Sequence, residues 1–281
     1  MHQRHSMRTN DIAVVIGVGG MGRAIAQRVG GDARLLLADH SPEALETSAD
    51  QLRGEGYEVT TRPVDVASRA SVAELAGAAA ELGQVRRVAH TAGLSPVQAS
   101  AERILAVDLL GVALVLEEFG RVMAPGGAGV IISSMAGHRV PALPEEAASA
   151  LANAPAEELL SLPLITDRAA TDPGAAYSIA KRANHLRVQA ADTAWGERGA
   201  RVNSISPGVI ATPMGRGELD SEHGASMRAM VDASNAGRLG TPTDIAAAAE
   251  YLLGPSSSFV SGTDLLVDGG VTAAVTSGRL G

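Results

Sequence analysis

The sequence predicts an α/β protein in which a doubly wound, seven-stranded parallel sheet forms a single domain. Short apolar runs alternate along the chain with longer helical patterns, and this alternation is typical of βαβ units. Several of the short runs are apolar throughout, as strands of a sheet covered on both faces require. With 281 residues, 46% of them hydrophobic, the chain can bury one large core.

The predicted strands and helices follow one another in the order that such a sheet needs. Each strand is a short run rich in Val, Ile, Leu or Ala, and seven are expected: Ile12–Ile16, Arg34–Ala38, Glu58–Val64, Arg86–Thr91, Gly129–Ser133, Arg201–Ser206 and Asp264–Val267. The helices are amphipathic or rich in Ala and Leu, and they end at glycine or begin at a Ser/Thr-Pro step. The six best candidates are Gly20–Val29, Pro42–Gly54, Arg69–Leu82, Ala101–Met123, Ala175–Gly196 and Pro242–Leu253.

Two segments lie outside this alternation. Residues 1–10 are polar and lack the apolar stretch of a secretory signal, so we expect a flexible N-terminal extension before a domain of residues 11–281. Residues 141–172 hold four prolines around two short stretches rich in Ala, Glu and Leu. We predict short helices at Pro144–Asn153 and Ala156–Leu162 and interpret the segment as an ordered insertion.

Composition excludes several classes of function. The net charge is −8, and the chain has only three tyrosines, two phenylalanines and one tryptophan, so nucleic acid is not an expected partner. Because there is no cysteine, disulfides and thiolate metal sites are excluded, and we expect no metal. The apolar runs fall well short of the roughly 20 residues that cross a bilayer. We therefore expect a cytoplasmic protein without a membrane partner.

The first predicted strand is followed directly by a glycine-rich turn. Gly17, Gly19, Gly20 and Gly22, with Met21 between the last two, lead into the first predicted helix. Glycine allows the tight turn and the close approach of a pyrophosphate, and the helix N-terminus favours its negative charge. The pattern predicts a Rossmann-type dinucleotide site, although an ordinary strand-to-helix turn has the same glycines.

The second strand ends in Asp39, at the distance where a carboxylate accepts hydrogen bonds from the adenosine ribose. The same charge would repel a 2′-phosphate, and the glycine turn offers no basic residue at Gly19 or Gly20. We therefore predict that NAD(H) is preferred and that NADP(H) is less favoured. A solvated acid at the end of a strand is the alternative interpretation.

A second group of residues carries the chemistry. Ser134 follows the fifth predicted strand, and Tyr177 and Lys181 lie four apart near the start of a later helix. That spacing puts both side chains on one face, where the ammonium favours the phenolate form of tyrosine. Lys181 is the only lysine, whereas 22 arginines occupy the other basic positions. A compact ammonium is therefore required there, because a solvated helix position would accept arginine equally well.

The Tyr-x-x-x-Lys spacing, the preceding serine and the glycine turn together resemble the short-chain dehydrogenase/reductase family, over almost the whole chain. The resemblance implies that Tyr177 is the general acid and base, that Ser134 binds the substrate oxygen, and that Lys181 also holds the nicotinamide ribose. It further implies cofactor contacts from residues that match other family motifs: Asp65, Val66, Ala92, Gly93, Pro207, Gly208, Val209, Ile210 and Thr212.

The sequence departs from the family pattern in four places, one of which is the glycine turn, shorter by one residue than the usual Gly-x-x-x-Gly-x-Gly. Asp108 replaces a helix asparagine that supports a proton relay, and its carboxylate could pair with Lys181 and raise its pKa. His90 replaces another asparagine and is more easily explained as a structural histidine than as a titrating one. The insertion of residues 141–172 separates Ser134 from Tyr177, and near the substrate mouth it would form a lid or wall. A surface decoration or a subunit contact is the alternative.

Together these features predict an NAD(P)-dependent oxidoreductase that transfers hydride between nicotinamide and a secondary alcohol or ketone. The alternative is a catalytically silent NAD-binding sensor, which the presence of Ser134, Tyr177 and Lys181 disfavours. We also expect a homotetramer or homodimer, because the predicted helices Ala101–Met123 and Ala175–Gly196 are more apolar than one core face needs. Loops of this composition fit sterols, short alcohols, acyl groups and sugars alike.

Overall fold

A computed structural model describes residues 10–279 and confirms the predicted sheet. Seven strands pair in the order β3-β2-β1-β4-β5-β6-β7, and every neighbouring pair is parallel. The strands are β1 (Asp11–Ile16), β2 (Arg34–Asp39), β3 (Val59–Pro63), β4 (Gln84–His90), β5 (Met123–Ile132), β6 (Arg201–Pro207) and β7 (Asp264–Val267). The order changes direction between β1 and β4, which creates a crevice at the carboxyl ends of these two strands.

Helices cover both faces of the sheet. They are α1 (Gly20–Val29), α2 (Pro42–Gly54), α3 (Arg69–Leu82), α4 (Ala101–Ile104), α5 (Gly111–Val122), α6 (Met135–His138), α7 (Glu145–Asn153), α8 (Pro173–Glu197), α9 (Pro213–Leu219), α10 (Gly224–Ala233), α11 (Pro242–Leu253) and α12 (Val271–Thr276). Buried residues of α1, α2 and α11 share one core cluster, and those of α3, α5 and α8 share the other. The two clusters lie on opposite faces of the sheet because residues of β1 and β2 alternate between them.

The long helix predicted at Ala101–Met123 is wrong in its details. It is divided into α4, a π-helical segment at Leu105–Leu110, and α5. Met123 already belongs to β5, because its backbone is extended, with φ of −58° and ψ of 135°. The fifth strand is correspondingly longer than predicted, and it ends at Ile132, one residue before the predicted end at Ser133.

The insertion of residues 141–172 is ordered, as expected. It contains α7, a 3₁₀ segment at Ala156–Ser161 and a π-helical segment at Ile165–Ala169. Leu151, Leu159 and Ile165 are buried and belong to the core cluster of α5 and α8. The insertion is therefore an added layer that packs on α8 and on the π-helical segment at Leu105–Leu110, with apolar side chains in the contact.

Arginines join this layer to the helices beneath it. Arg69 of α3 pairs with Glu117 and Glu118 of α5, both at 2.6 Å, and also with Glu157 of the insertion. Arg187 of α8 donates to the carbonyl oxygens of Leu151 and Ala154 at 3.3 and 2.9 Å. These contacts satisfy backbone carbonyls at the end of α7, where a helix lacks internal partners.

An N-terminal extension is expected at residues 1–10. Residues 1–9 of it lie outside the part of the chain that the structure describes. Among the described residues, no helix combines the length and apolarity needed to cross a membrane.

Candidate active site

The glycine turn lies at the crevice between β1 and β4. Gly17 has a positive φ of 92°, and a Cβ there would lie 2.5 Å from the Ala92 nitrogen. A Cβ on Gly22 would lie 1.9 Å from the Gly17 carbonyl oxygen. Neither position therefore accepts a side chain, and the turn leaves the N-terminus of α1 open to a bound anion, as a dinucleotide pyrophosphate requires.

Asp39 ends β2 beside this turn. Its Oδ2 accepts a hydrogen bond from the Val18 N–H at 2.8 Å, and its Oδ1 accepts one from the Ser41 N–H at 2.9 Å. The two backbone amides fix the carboxylate at the rim of the crevice. Each oxygen keeps a second lone pair, so both can still accept hydrogen bonds from a ribose diol.

A cavity of about 360 Å³ extends from the glycine turn along the crevice. Eleven of the predicted cofactor residues line it: Gly17, Gly19, Gly20, Met21, Gly22, Asp39, Asp65, Val66, Ala92, Gly93 and Thr212. Gly208, Val209 and Ile210 instead line a separate, smaller cavity. Neither cavity lining includes Pro207, Tyr177 or Lys181, nor any residue of the insertion.

The fold brings Ser134, Tyr177 and Lys181 together beyond the glycine end of the crevice. Tyr177 and Lys181 lie one turn apart on α8, with the Lys181 Nζ 5.3 Å from the centre of the tyrosine ring. Ser134 precedes α6, where its Oγ accepts a hydrogen bond from the Ala136 N–H at 3.1 Å. The neighbouring Ser133 donates to the Lys181 carbonyl oxygen at 2.9 Å. Ser133 therefore ties the end of β5 to α8, which leaves Ser134 as the hydroxyl beside the phenol.

Asp108 lies in the π-helical segment and forms a buried ion pair with Lys181. Asp108 Oδ2 is 3.2 Å from Lys181 Nζ, with side-chain exposures of 0% and 5%. Asp108 Oδ1 accepts a hydrogen bond from the Leu94 N–H at 2.8 Å, and Lys181 Nζ donates to the Ile132 carbonyl oxygen at 3.3 Å. The ammonium is thereby held between the end of β5 and the π-helical segment, whose Asp108 is in turn bonded to the loop that follows β4.

Burial and pairing act against each other in this cluster. Burial alone would lower the pKa of Lys181, but Asp108 and Tyr177 outweigh it, and the pKa lies above its usual value. Burial raises the pKa of the Asp108 carboxyl against the lowering effect of the Lys181 charge. Burial also raises the pKa of the Tyr177 phenol, although Lys181 and Ser134 lower it. Lys181 thus lowers the pKa of the Tyr177 phenol, as predicted, but by less than burial raises it.

His90 ends β4 and is only 1% exposed. Neither ring nitrogen has a hydrogen-bond partner among the described residues. Burial and the Lys181 charge lower the pKa of His90 to about 3. The ring is therefore neutral near pH 7, and a titrating role is not supported.

Two protein-family models together match almost the whole chain. Residues 11–150 match the family model described as short chain dehydrogenase, and residues 142–272 match the model described as enoyl-(acyl carrier protein) reductase. The short-chain dehydrogenase/reductase bsc3 of Alternaria brassicicola is 43% identical over 265 residues, which cover 92% of this chain and 95% of that protein. The chain belongs to the short-chain dehydrogenase/reductase family.

Other members of the family are more distant. D-threitol dehydrogenase of Mycolicibacterium smegmatis is 31% identical, covering 93% of this chain and 92% of its own length. The crystal structure of levodione reductase superposes with a TM-score of 0.77 at 26% identity and covers 95% of this chain and 99% of its own. This short-chain dehydrogenase/reductase is thus an oxidoreductase of a family that uses NAD(H) or NADP(H).

Sequence reasoning missed several residues of this dehydrogenase/reductase site. Thr91, Arg103 and Val107 also line the cavity, and the Thr91 hydroxyl donates to the Gly17 carbonyl oxygen at 2.8 Å. Thr91 stands directly before the predicted Ala92 and Gly93, so its position was a usable signal. The other two side chains reach the crevice from α4 and from the π-helical segment, where no local pattern marks them.

Proposed function

We propose that this protein is an NAD-dependent alcohol dehydrogenase or carbonyl reductase that interconverts a secondary alcohol and a ketone. The observation that carries the proposal is the cluster in which the Tyr177 phenol lies beside Ser134 and the Lys181–Asp108 ion pair. The polyol dehydrogenases among the relatives, D-threitol dehydrogenase and the galactitol 2-dehydrogenase of Cereibacter sphaeroides, support a secondary alcohol as the substrate class.

The side chains divide the proton chemistry between them. In reduction the Tyr177 phenol donates a proton to the carbonyl oxygen, and in oxidation its phenolate removes the proton of the alcohol. Ser134 donates a hydrogen bond to the same oxygen and orients it. Lys181, held as an ammonium by Asp108, stabilises the phenolate by its charge. When bound, the nicotinamide ring accepts or supplies the hydride at the substrate carbon.

The cofactor would lie along the crevice, with its pyrophosphate at the N-terminus of α1. Lys181 would hold the nicotinamide ribose, and Asp39 would accept hydrogen bonds from the adenosine ribose. Asp39 favours NAD(H), because its charge would face the 2′-phosphate of NADP(H) at short range. The remaining contacts would come from Gly17, Gly19, Gly20, Met21, Gly22, Asp65, Val66, Ala92, Gly93, Pro207, Gly208, Val209, Ile210 and Thr212.

The first experiment separates cofactor binding from turnover. Purified protein is titrated with NADH and NADPH by calorimetry and assayed on a panel of secondary alcohols and ketones. We expect tighter binding of NADH, and a loss of kcat of about 10²- to 10⁴-fold in Tyr177→Phe with little change in NADH affinity. Tyr251→Phe, at a tyrosine that is 45% exposed, is the matched control and should remain fully active.

Asp39→Asn tests the cofactor preference. It should lower NADH affinity about tenfold, since hydrogen bonds to a charged acceptor contribute about 1.5–3 kcal/mol, while NADPH affinity rises or stays unchanged. Equal binding of both cofactors by the unmodified protein would contradict the role of Asp39. Binding without turnover of any substrate would support a silent NAD-binding sensor instead, and binding of neither nucleotide would overturn the proposal.

A further inference from the structure

Two histidines and an aspartate meet behind the candidate active site. His138 is the last residue of α6, His185 lies in the middle of α8, and Asp264 is the first residue of β7. One atom of each side chain, a ring nitrogen or a carboxylate oxygen, lies within 4.8 Å of the other two. The dehydrogenase/reductase chemistry uses none of the three residues.

The separations are close to those of a metal site. His138 Nε2 is 2.7 Å from Asp264 Oδ2, and His185 Nε2 is 3.5 Å from Asp264 Oδ1. The two imidazole rings lie 4.7 Å apart at an angle of 46°. Tetrahedral zinc sites place nitrogen and oxygen ligands about 2.0–2.2 Å from the ion, which puts neighbouring ligand atoms a little over 3 Å apart. Small side-chain movements are therefore sufficient to enclose an ion.

The carboxylate is already oriented by hydroxyl groups. Asp264 Oδ1 accepts hydrogen bonds from Ser204 Oγ at 2.5 Å and from Ser206 Oγ at 3.0 Å. Ser206 Oγ also lies 2.8 Å from His185 Nε2, and both serines are fully buried. Hydroxyl partners that fix a ligating carboxylate in this way are typical of metal sites and raise their affinity. On binding an ion, His185 Nε2 would give up its contact with Ser206. Oδ2 makes its close contact with His138 alone among the described hydrogen bonds and is the oxygen available to an ion.

We propose that His138, His185 and Asp264 bind a divalent transition-metal ion, with Zn²⁺ as the preferred occupant. Two imidazole nitrogens and one carboxylate oxygen suit zinc, and a water molecule completes a four-coordinate shell. His185 is 4% exposed whereas the His138 side chain is 30% exposed, so the ion has an entry path on the His138 side. The sequence-based expectation of no metal considered thiolates alone, and the three proposed ligands are separated by up to 126 positions.

Occupancy would join elements that carry catalytic residues. His138 lies four residues after Ser134, and His185 lies four residues after Lys181. An ion between them would fix α6 and α8 to β7 and stabilise the folded protein, because it binds a site that exists only when the chain is folded. The role is structural, so the proposal does not depend on the substrate or the cofactor.

The test is direct metal binding by untagged, chelator-treated protein. Calorimetric titration with ZnCl₂ should show one tight equivalent, Co²⁺ should give the visible absorption bands of a four-coordinate site, and Zn²⁺ should raise the melting temperature. His138→Ala removes a partly exposed ligand, so the protein should fold, and we expect its Zn²⁺ affinity to fall by 100-fold or more. Ser204→Ala, which removes a hydroxyl that orients the Asp264 carboxylate, should reduce affinity by about 10- to 100-fold, as loss of an orienting partner does.

His223→Ala is the matched control, because His223 is an exposed histidine 3.7 Å from a single carboxylate, that of Glu222. It should bind Zn²⁺ like the unmodified protein. Absence of a one-equivalent Zn²⁺ site, or equal affinity in His138→Ala and His223→Ala, would overturn the proposal and leave the cluster as a hydrogen-bonded support for α6.

Discussion

Lys181 lies 3.2 Å from a buried carboxylate, and this ion pair sets the charge around the Tyr177 phenol. Asp108 keeps Lys181 protonated but also raises the pKa of Tyr177 directly by its own negative charge. An asparagine at position 108 would keep a carbonyl oxygen for the Leu94 N–H while removing that charge. The pair therefore offers a clean test of how electrostatics controls the proton transfer.

In Asp108→Asn we expect the pKa of both Lys181 and Tyr177 to fall, because the negative charge that raises both is gone. The pH profile of kcat/KM for alcohol oxidation should therefore shift toward lower pH. Its alkaline limb should also move to lower pH, because Lys181 then loses its proton at a lower pH than in the unmodified enzyme. Asp220→Asn, at an exposed acid on the end of α9, is the control. A profile that coincides with that of the unmodified enzyme would show that the Asp108 charge does not act on the phenol.

His90 is predicted to destabilise the protein in acid. Its pKa is about 3 when folded and 6.5 for a free histidine, so between these values the unfolded chain binds a proton that the folded protein does not. The free energy of unfolding must then fall as the pH falls through this window. Between pH 7 and pH 5 the loss from this one residue is about 2 kcal/mol, at 1.36 kcal/mol per pH unit below 6.5.

His90→Asn should remove that loss. Urea unfolding, followed by fluorescence of Trp195, the single tryptophan, should show a smaller decrease in stability between pH 7 and pH 5 than in the unmodified protein. His223→Asn, at an exposed histidine, should leave the pH dependence unchanged. Parallel pH dependences in His90→Asn and the unmodified protein would mean that His90 is protonated in the folded state.

At the scale of elements, the insertion changes how the apolar helices are explained. Nine of the twelve residues of α5 are buried within a single chain, and Leu151, Leu159 and Ile165 of the insertion belong to the same core cluster. The apolar character that suggested pairing between subunits is therefore largely used inside one molecule. The oligomeric state remains a prediction that needs another surface to support it.

Leu159→Ala tests whether the insertion belongs to the core. Leu159 is 0% exposed, and removing a fully buried leucine side chain costs about 2–5 kcal/mol. We expect a loss of that size in the free energy of urea unfolding, with a single cooperative transition. The neighbouring Leu160→Ala, at a partly exposed position, should cost much less. Equal and small losses in both variants would instead describe a lid that is loosely attached to the domain.

Structural features marked by residues close together in the sequence could be predicted, whereas features formed by residues far apart in the sequence could not. The glycine turn and Asp39 lie within 23 consecutive residues and follow apolar strands, so spacing alone indicated the crevice. The π-helical segment around Asp108 escaped prediction, because its hydrophobic pattern is continuous with that of the flanking helices. The cluster of His138, His185 and Asp264 escaped prediction because only the folded sheet brings these residues together.

At the scale of the whole molecule, Phe259 is the most exposed of the large apolar side chains in the described part of the chain. Phe259 has a relative exposure of 103%, and Tyr251 is 45% exposed. Phe259 lies just before β7, which is an edge strand, and Tyr251 lies on α11. An aromatic side chain exposed this completely, in the segment that leads into an edge strand, is a candidate contact for another chain. We predict that a second copy of the chain covers this edge, in keeping with the expected homodimer or homotetramer.

Phe259→Ser should weaken that assembly strongly. Burying a phenylalanine side chain stabilises an interface by about 1.5–3 kcal/mol, and in a twofold-symmetric contact each substitution acts twice. The loss of about 3–6 kcal/mol corresponds to a dissociation constant raised roughly 10²- to 10⁴-fold. Sedimentation equilibrium of the unmodified protein should give a mass that is a multiple of 28.5 kDa, and Phe259→Ser should give a lower mass. Val97→Ser is the control, because Val97 is 45% exposed on a different loop, and its mass should equal that of the unmodified protein. An unmodified protein that sediments as a monomer, or a Phe259→Ser variant of unchanged mass, would exclude this edge as the subunit contact.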